Sequence, residues 1–248
     1  MASSFPGFPP EALTFFRGLK RNNNREWFQA RKAIYEAEVK APMAALVTAL
    51  NAELARFAPG YVTDPARAIY RIYRDTRFSP DKTPYKTHIA ALFMPRGLVR
   101  HASGSLYFSV SPDVVEVAGG IYMPGPDELL TVRTHLAANH ERLRVIVKDK
   151  KLRSLVGDLC GETLTRVPKG FPSDHPAAEL LRMKQWYVFV ELDAALATTP
   201  KLFGELLKRF RAMIPLVEFL NEPLRSRRSS ALDRSRLFTG PRASPPRR

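Results

Sequence analysis

The middle of the chain carries a series of short strand-like segments separated by turn residues, and helical patterns flank it on both sides. Leu106, Phe108 and Val110 alternate with other residues, which is the spacing of a half-buried strand. Strands are predicted over residues 68–78, 86–94, 106–110, 114–118 and 186–192. Because consecutive strands precede a return to helix, the sequence predicts an α+β fold. Its antiparallel sheet would have about five strands, with a central meander packed against N-terminal and C-terminal helices.

Three short motifs bound the predicted strands. Asp64-Pro65 precedes the first strand but is equally typical of a helix start. The segment 79–82, with Pro80 at its second position, predicts a type I turn. Gly119-Gly120 indicates either a bulge or a close approach of another backbone.

The flanking segments have helical spacing. A first helix is predicted over residues 8–21, and Asn23 or Asn24 would cap a second one. Pro42 would kink or divide that second helix, which ends at Pro59-Gly60. A closing amphipathic helix is predicted over residues 200–220.

The net charge of +15 is divided between a folded region and a tail. Residues 225–248 hold eight Arg and one Asp, or +7, which leaves +8 for residues 1–224. This Arg/Ser/Pro-rich tail has few apolar residues to bury and is predicted to be disordered. The sequence therefore predicts one α+β domain over residues 1–224 and a disordered tail over residues 225–248.

Composition excludes several classes of protein. The sequence has no run of about 18 apolar residues, so no membrane helix and no membrane partner are expected. Residues 1–10 have neither a basic segment nor an apolar segment typical of a secretory signal. The single cysteine, Cys160, excludes an internal disulfide. A cytoplasmic protein is predicted, and its oligomeric state stays open.

The stretch from Arg71 to His88 is the predicted functional segment, because it mixes many charges with aromatic residues. A desolvated cation must be paired or must face a ligand. As a strand, this segment would place Arg71, Asp75 and Arg77 on one face, with Asp75 orienting one or both guanidinium groups. The predicted ligand-binding residues are Arg71, Arg74, Asp75, Arg77, Lys82, Tyr85 and Lys86, with Tyr73 and Tyr107 as further stacking groups.

Two interpretations of this segment stay open. In the first, the arginines bind the oxygens of a phosphate or carboxylate bidentately, and the two lysines add point charges. In the second, an Arg–Asp network only pins a hairpin to the helical layer. The excess of five cations over two carboxylates favours the first interpretation.

Catalytic and metal-binding patterns are sparse. His88 and Asp75 are weak candidates for a general acid or base, and no catalytic residue is assigned beyond them. His135 and His140 are five residues apart, which does not align them on one helix face. The sequence has no phosphate-binding glycine loop, dinucleotide motif or nucleophile elbow. No metal and no cofactor are predicted.

Three motifs resemble those of a known family. They are Asn23-Asn-Arg-Glu-Trp-Phe28, the segment 71–87 with its Arg-Ile-Tyr-Arg-Asp-Thr-Arg-Phe-Ser start, and Gly119-Gly-Ile-Tyr-Met-Pro124. They resemble domain-of-unknown-function family 2461, a family of bacterial and fungal proteins, over about residues 8–222. The resemblance implies an intracellular protein of this size and implies no activity, cofactor or catalytic residue.

The sequence thus predicts an anion-binding domain whose cationic pocket accepts a phosphorylated metabolite, a nucleotide or a nucleic-acid backbone. One alternative is a scaffold or protein-interaction module whose Arg–Asp network is structural only. Another is an enzyme acting on a phosphorylated substrate. The possible partners are accordingly a phosphorylated small molecule or nucleic acid.

Overall fold

A computed structural model describes residues 4–98 and 100–238 of the chain. A π-helical segment, Tyr35–Lys40, joins the third helix to the fourth, and 3-10 turns cover Pro59–Tyr61 and Ala194–Thr198. The strands are β1 (Ile89–Phe93), β2 (Ser105–Val110), β3 (Val114–Ile121) and β4 (Trp186–Asp193). The helices are α1 (Pro10–Arg21), α2 (Arg25–Ala30), α3 (Lys32–Ile34), α4 (Ala41–Phe57), α5 (Pro65–Ala68), α6 (Pro126–Val147), α7 (Lys150–Val156), α8 (Ala178–Arg182) and α9 (Lys201–Phe238).

The described residues form one antiparallel sheet in the order β1-β2-β3-β4, so the predicted α+β class is confirmed. The prediction of five strands is wrong, because residues 68–78 do not form a strand. Pro65 opens α5 instead, and the Asp64 side chain accepts a hydrogen bond of 2.8 Å from the Ala66 N–H. The alternative reading of Asp64-Pro65 as a helix start is therefore the correct one.

One core cluster joins the sheet, α9 and the N-terminal helices. The rings of Phe93 and Phe108 on the sheet lie 5.5 and 6.4 Å from that of Phe210 on α9. A Cβ on Gly119 would lie 2.7 Å from the Met213 sulfur, so β3 and α9 approach more closely than a side chain would allow. The β3–β4 register continues through Gly119 and Gly120, which supports a close approach rather than a bulge.

The N-terminal helices follow the predicted boundaries closely. Asn24 caps α2 by accepting a hydrogen bond of 2.9 Å from the Trp27 N–H. Pro42 was expected to kink or divide the second helix. The irregularity lies just before Pro42, in the π-helical segment Tyr35–Lys40, and α4 begins directly after that segment. Lys40 and Ala41 have helical dihedral angles, so the helix is continuous, and its irregular segment lies just before the proline that lacks an N–H donor.

The closing helix is longer than predicted. It runs from Lys201 to Phe238 and continues through Pro215 and Pro223, past the predicted domain boundary at residue 224. The rest of the predicted disordered tail, residues 239–248, lies outside the described residues. Within the described residues, no helix is long and apolar enough to span a bilayer.

Candidate functional site

Residues 69–88, here called the ribbon, form a hairpin-like excursion before β1. Tyr73 and Tyr85 form an isolated bridge across it, and the Lys86 N–H donates to the Ile72 carbonyl over 2.8 Å. The Asn23 side chain fastens the ribbon to the helices, because it both donates to the Tyr85 carbonyl (2.9 Å) and accepts from the Tyr85 N–H (3.1 Å). This contact joins two of the motifs that carry the family resemblance.

At the tip of the ribbon, residues 74–83, most charged side chains bind other groups of the tip. Arg74 binds the Asp81 carboxylate and the Thr83 hydroxyl. Arg77 binds Asp75 bidentately, over 3.0 Å from Nε and 2.8 Å from Nη2, and this contact is the main cause that lowers the Asp75 pKa to about 2. The predicted one-face array of Arg71, Asp75 and Arg77 required a strand and is not formed as such.

The remaining tip residues also satisfy one another. The Lys82 ammonium donates to the Thr76 carbonyl over 2.9 Å. The hydrogen-bonded turn lies earlier than the predicted 79–82 turn, since the Ser79 N–H donates to the Thr76 carbonyl. These bonds hold Phe78 in solvent, with 92% of its surface exposed.

The two predicted stacking tyrosines of the ribbon have different environments. Tyr85 is only 3% exposed and stacks on Phe28 with ring centroids 4.3 Å apart, so its ring belongs to the core. Tyr73 packs its ring against the same Phe28 at 6.1 Å and remains 46% exposed. Of these two tyrosines, Tyr73 therefore has the surface to contact a ligand.

Lys86 and Arg100 lie over the ring of Tyr70, and the charge of the neighbouring Arg71 acts on Lys86. Arg71, Lys86 and Arg100 are here called the cation cluster. The Lys86 ammonium lies 5.0 Å and the Arg100 guanidinium 4.6 Å from the centroid of the Tyr70 ring. The Lys86 ammonium also donates to the Arg71 carbonyl, and Arg100 donates to the Arg67 carbonyl, each over 3.1 Å. Within residues 4–98 and 100–238, none of the three cations forms an ion pair with a carboxylate.

The pKa of Lys86 is affected by the neighbouring cations. Burial lowers the pKa of Lys86, and the charges of Arg71 and Arg100 lower it further. Arg100 Nε is buried without a hydrogen-bond partner in the part of the chain that the structure describes. Arg71 is exposed, and its guanidinium makes no hydrogen bond to any described residue. The cluster thus has unused donors on Arg71 and positive charge that no ion pair balances, although the charge of Arg71 also helps to lower the pKa of Asp75.

A groove adjoins the cluster, with a volume of about 540 Å³. Arg71 of the cluster lines this groove, and so does Tyr70, the ring under Lys86 and Arg100. The opposite wall is formed by α2, α3, the π-helical segment and α4, which contribute Phe28, Lys32, Tyr35, Glu36, Lys40 and Ala44.

His88 is close enough to the cluster for the charge of Lys86 to act on it. Burial lowers its pKa; Glu116 opposes this effect and Lys86 adds to it. Glu116 accepts a hydrogen bond of 2.7 Å from the Ser109 hydroxyl on the neighbouring strand. Burial raises the pKa of Tyr107 to about 12. Tyr107 lies against Tyr70, with ring centroids 6.4 Å apart.

Two half-buried histidines predict a pH dependence of stability. Partial burial lowers the pKa values of His88 and His135 below the unfolded value of about 6.5. The unfolded chain therefore binds more protons as the pH falls below about 6.5, and the free energy of unfolding should fall with it. The slope can reach at most about 1.4 kcal/mol per pH unit for each histidine.

Urea unfolding at pH 7.5 and pH 5.5 measures this loss. His88→Gln should show a smaller difference between the two pH values than the wild-type chain. An equal difference in both proteins would show that His88 does not contribute.

The structure adds residues that sequence reasoning missed. Arg100 completes the cluster, Tyr70 is the ring under two of its cations, and Lys32 lines the groove from α3. Nothing in the local sequence around Arg100 marks it, because a loop and the fold bring it to the ribbon. Among the described residues, no group of three or more His, Cys, Asp or Glu could hold a metal ion.

Comparisons with known proteins place the chain in a family without adding an activity. The model of the family described as "Conserved hypothetical protein (DUF2461)" matches residues 11–219. Searches of the curated proteins and of the solved structures found no match.

Proposed function

The chain belongs to the conserved hypothetical protein family DUF2461, and from this starting point we propose that it binds a phosphorylated small molecule at the cation cluster. The observation that supports the proposal is the placement of Lys86 and Arg100 over Tyr70, with Arg71 close enough to act on Lys86 and no ion pair from the three cations to a described carboxylate.

Mutual repulsion in such a cluster is relieved by an anion. A like charge nearby disfavours the charged form of a group, which is why Arg71 and Arg100 lower the pKa of Lys86. A bound phosphate would reverse the sign of this effect. Positive charges held close together and partly out of water are unfavourable, and an external anion supplies the ion pairs that the three cations do not form with described residues.

The donor set suits a phosphate group. Arginine offers a planar fork of N–H donors that matches two phosphate oxygens, and lysine adds a compact point charge. Arg71 has its whole fork available, and Arg100 uses one terminal nitrogen on the Arg67 carbonyl. A phosphate, with its several oxygens, can therefore accept from more than one of the three side chains.

Titration calorimetry with inorganic phosphate and pyrophosphate tests this proposal. Hydrogen bonds to charged groups contribute about 1.5–3 kcal/mol, so Arg71→Ala and Arg100→Ala should each weaken binding roughly 10- to 100-fold. The double variant should show no measurable binding. Arg17→Ala, which removes an exposed arginine from α1, is the matched control and should bind like the wild-type chain.

Two results would redirect the proposal. Unchanged affinity in the folded double variant would exclude the cluster as the site. Loss of binding in Arg77→Ala alone would place the anion at the ribbon tip, where Arg74, Asp75 and Lys82 were also predicted to bind it. An oligonucleotide titrated at several salt concentrations distinguishes a nucleic-acid backbone, whose binding weakens steeply with salt.

A second candidate function is a protein-interaction module, and the ribbon tip favours it. Arg74 and Arg77 are paired within the tip, as that interpretation requires, and they hold Phe78 almost fully exposed. Large aromatic side chains are frequent anchors in interfaces. An enzyme using His88 or Asp75 stays a prediction, although an ion-paired Asp75 with a pKa of about 2 is a weak base.

A further inference from the structure

We propose that the groove beside the cation cluster receives a planar ring of the ligand, so that the ligand class is a ring-bearing phosphate such as a nucleoside monophosphate. This inference rests on the proposed function, because the phosphate of the same molecule would occupy the cluster.

The groove has the size and the walls of a small-molecule site. Its volume of about 540 Å³ lies within the range of about 300–1,000 Å³ that is usual for ligand pockets. Most of its wall is apolar or aromatic, and the charged groups stand at separate positions along it. An inorganic phosphate or a small sugar phosphate would leave these apolar walls uncovered.

Aromatic side chains make the wall suited to a flat ring. Tyr73 lies on the groove with nearly half of its surface exposed, and Phe28 packs behind it at a centroid distance of 6.1 Å. Tyr70 continues the wall toward the cluster. Rings stack on such side chains in offset or edge-to-face arrangements, and this favours a flat ring over an aliphatic chain.

The π-helical segment is an independent sign that this wall is specialised. Tyr35, Glu36 and Lys40 line the groove, and all three belong to that segment. π-helical turns are rare and often occur at functional sites. Here the π-helical segment forms part of the groove wall.

Charge along the groove orients the ligand. Lys40 forms an ion pair of 2.7 Å with Glu36, so this pair adds no net charge. Arg71 lies where the groove meets the cluster, and its donors are unused by the described residues. Lys32 adds one further cation to the groove, but only the Arg71 end adjoins two more cations, Lys86 and Arg100. The phosphate end of a ligand is therefore attracted to the Arg71 end, and its ring extends along the apolar wall.

Filling the groove without touching the cations tests the inference. Ala44 lines the groove on α4, whereas the adjacent Ala45 is exposed and does not line it. Ala44→Trp and Ala45→Trp are therefore a matched pair. Calorimetry with adenosine monophosphate and with inorganic phosphate gives the two affinities for each protein.

The wild-type chain should bind adenosine monophosphate at least tenfold more tightly than inorganic phosphate. Ala44→Trp should abolish this preference and leave the phosphate affinity unchanged, and Ala45→Trp should retain both affinities. An unchanged preference in Ala44→Trp would overturn the inference. So would tighter binding of octyl phosphate than of adenosine monophosphate by the wild-type chain, because that assigns the groove to an aliphatic chain.

The same data separate this inference from the proposed function. Absence of inorganic phosphate and pyrophosphate binding in the wild-type chain would overturn the phosphate site itself. Phosphate binding without any preference for the ring would overturn only the groove as a ring site.

Discussion

Replacing Gly120 with alanine is expected to destabilise the protein by about 3–5 kcal/mol, because both the backbone conformation and the space exclude a side chain. The φ angle of Gly120 is +135°, which residues with a Cβ rarely adopt. A Cβ there would lie 2.2 Å from the Trp186 carbonyl oxygen and 2.6 Å from the Tyr187 Cα. Both atoms belong to β4, so relief of the clash requires β3 and β4 to separate.

Chemical denaturation monitored by tryptophan fluorescence measures this loss, since Trp186 lies at the contact. Gly204→Ala is the matched control, because the same change in α9 meets no atom within 4 Å. It should stabilise the protein by about 0.5–1 kcal/mol through helix propensity. Equal effects of the two substitutions would contradict the close approach of β3 to β4.

Asn221→Leu should have a comparably large effect, about 3–4 kcal/mol, because it leaves several buried polar groups without a partner. Asn221 on α9 is fully buried. Its side chain accepts from the Gly104 N–H (2.8 Å) and donates to the Gly104 carbonyl (2.8 Å) and the Tyr61 hydroxyl (2.9 Å). The backbone groups of Gly104 cannot reach water when this amide is removed.

Tyr61→Phe is the control for this prediction. It removes one hydroxyl and keeps both bonds between Asn221 and Gly104, so its cost should be only about 1–2 kcal/mol. If both variants lose the same free energy of unfolding, the bonds to Gly104 contribute nothing. Because Gly104 ends the loop that carries Arg100, Asn221→Leu should also weaken phosphate binding in protein that remains folded.

Local patterns were sufficient for most of the fold. The alternation at residues 106–110 and the short apolar run at 186–192 correspond to β2 and β4, although β2 is buried on both faces rather than half-buried. Asn24 was identifiable as a helix cap because capping depends on neighbouring residues alone. The prediction of a strand over residues 68–78 was wrong because most of this segment belongs to the ribbon. The ribbon is held by a contact with the distant Asn23, which local periodicity does not indicate.

The candidate site was only partly predictable for the same reason. Arg71 and Lys86 were identified from an excess of charge among aromatic residues, and both belong to the cluster. The partners of Arg74 and Arg77 depend on how the tip closes, which strand periodicity could not indicate. Arg100 joins the cluster through tertiary structure, so no local spacing could have revealed it.

The ribbon also occupies a sheet edge that could otherwise pair with another chain. It covers the free edge of β1, where Ile69 bridges Ala91 and the Tyr70 N–H donates to the Ala90 carbonyl over 2.9 Å. At the opposite edge, Cys160 exchanges backbone hydrogen bonds with Tyr187 of β4. Uncovered strand edges are templates for pairing with other chains. Sequence change in the ribbon is therefore constrained in two ways. A variant that loosens the ribbon changes the proposed ligand site, and it also exposes the edge of β1, on which another copy of the protein can pair.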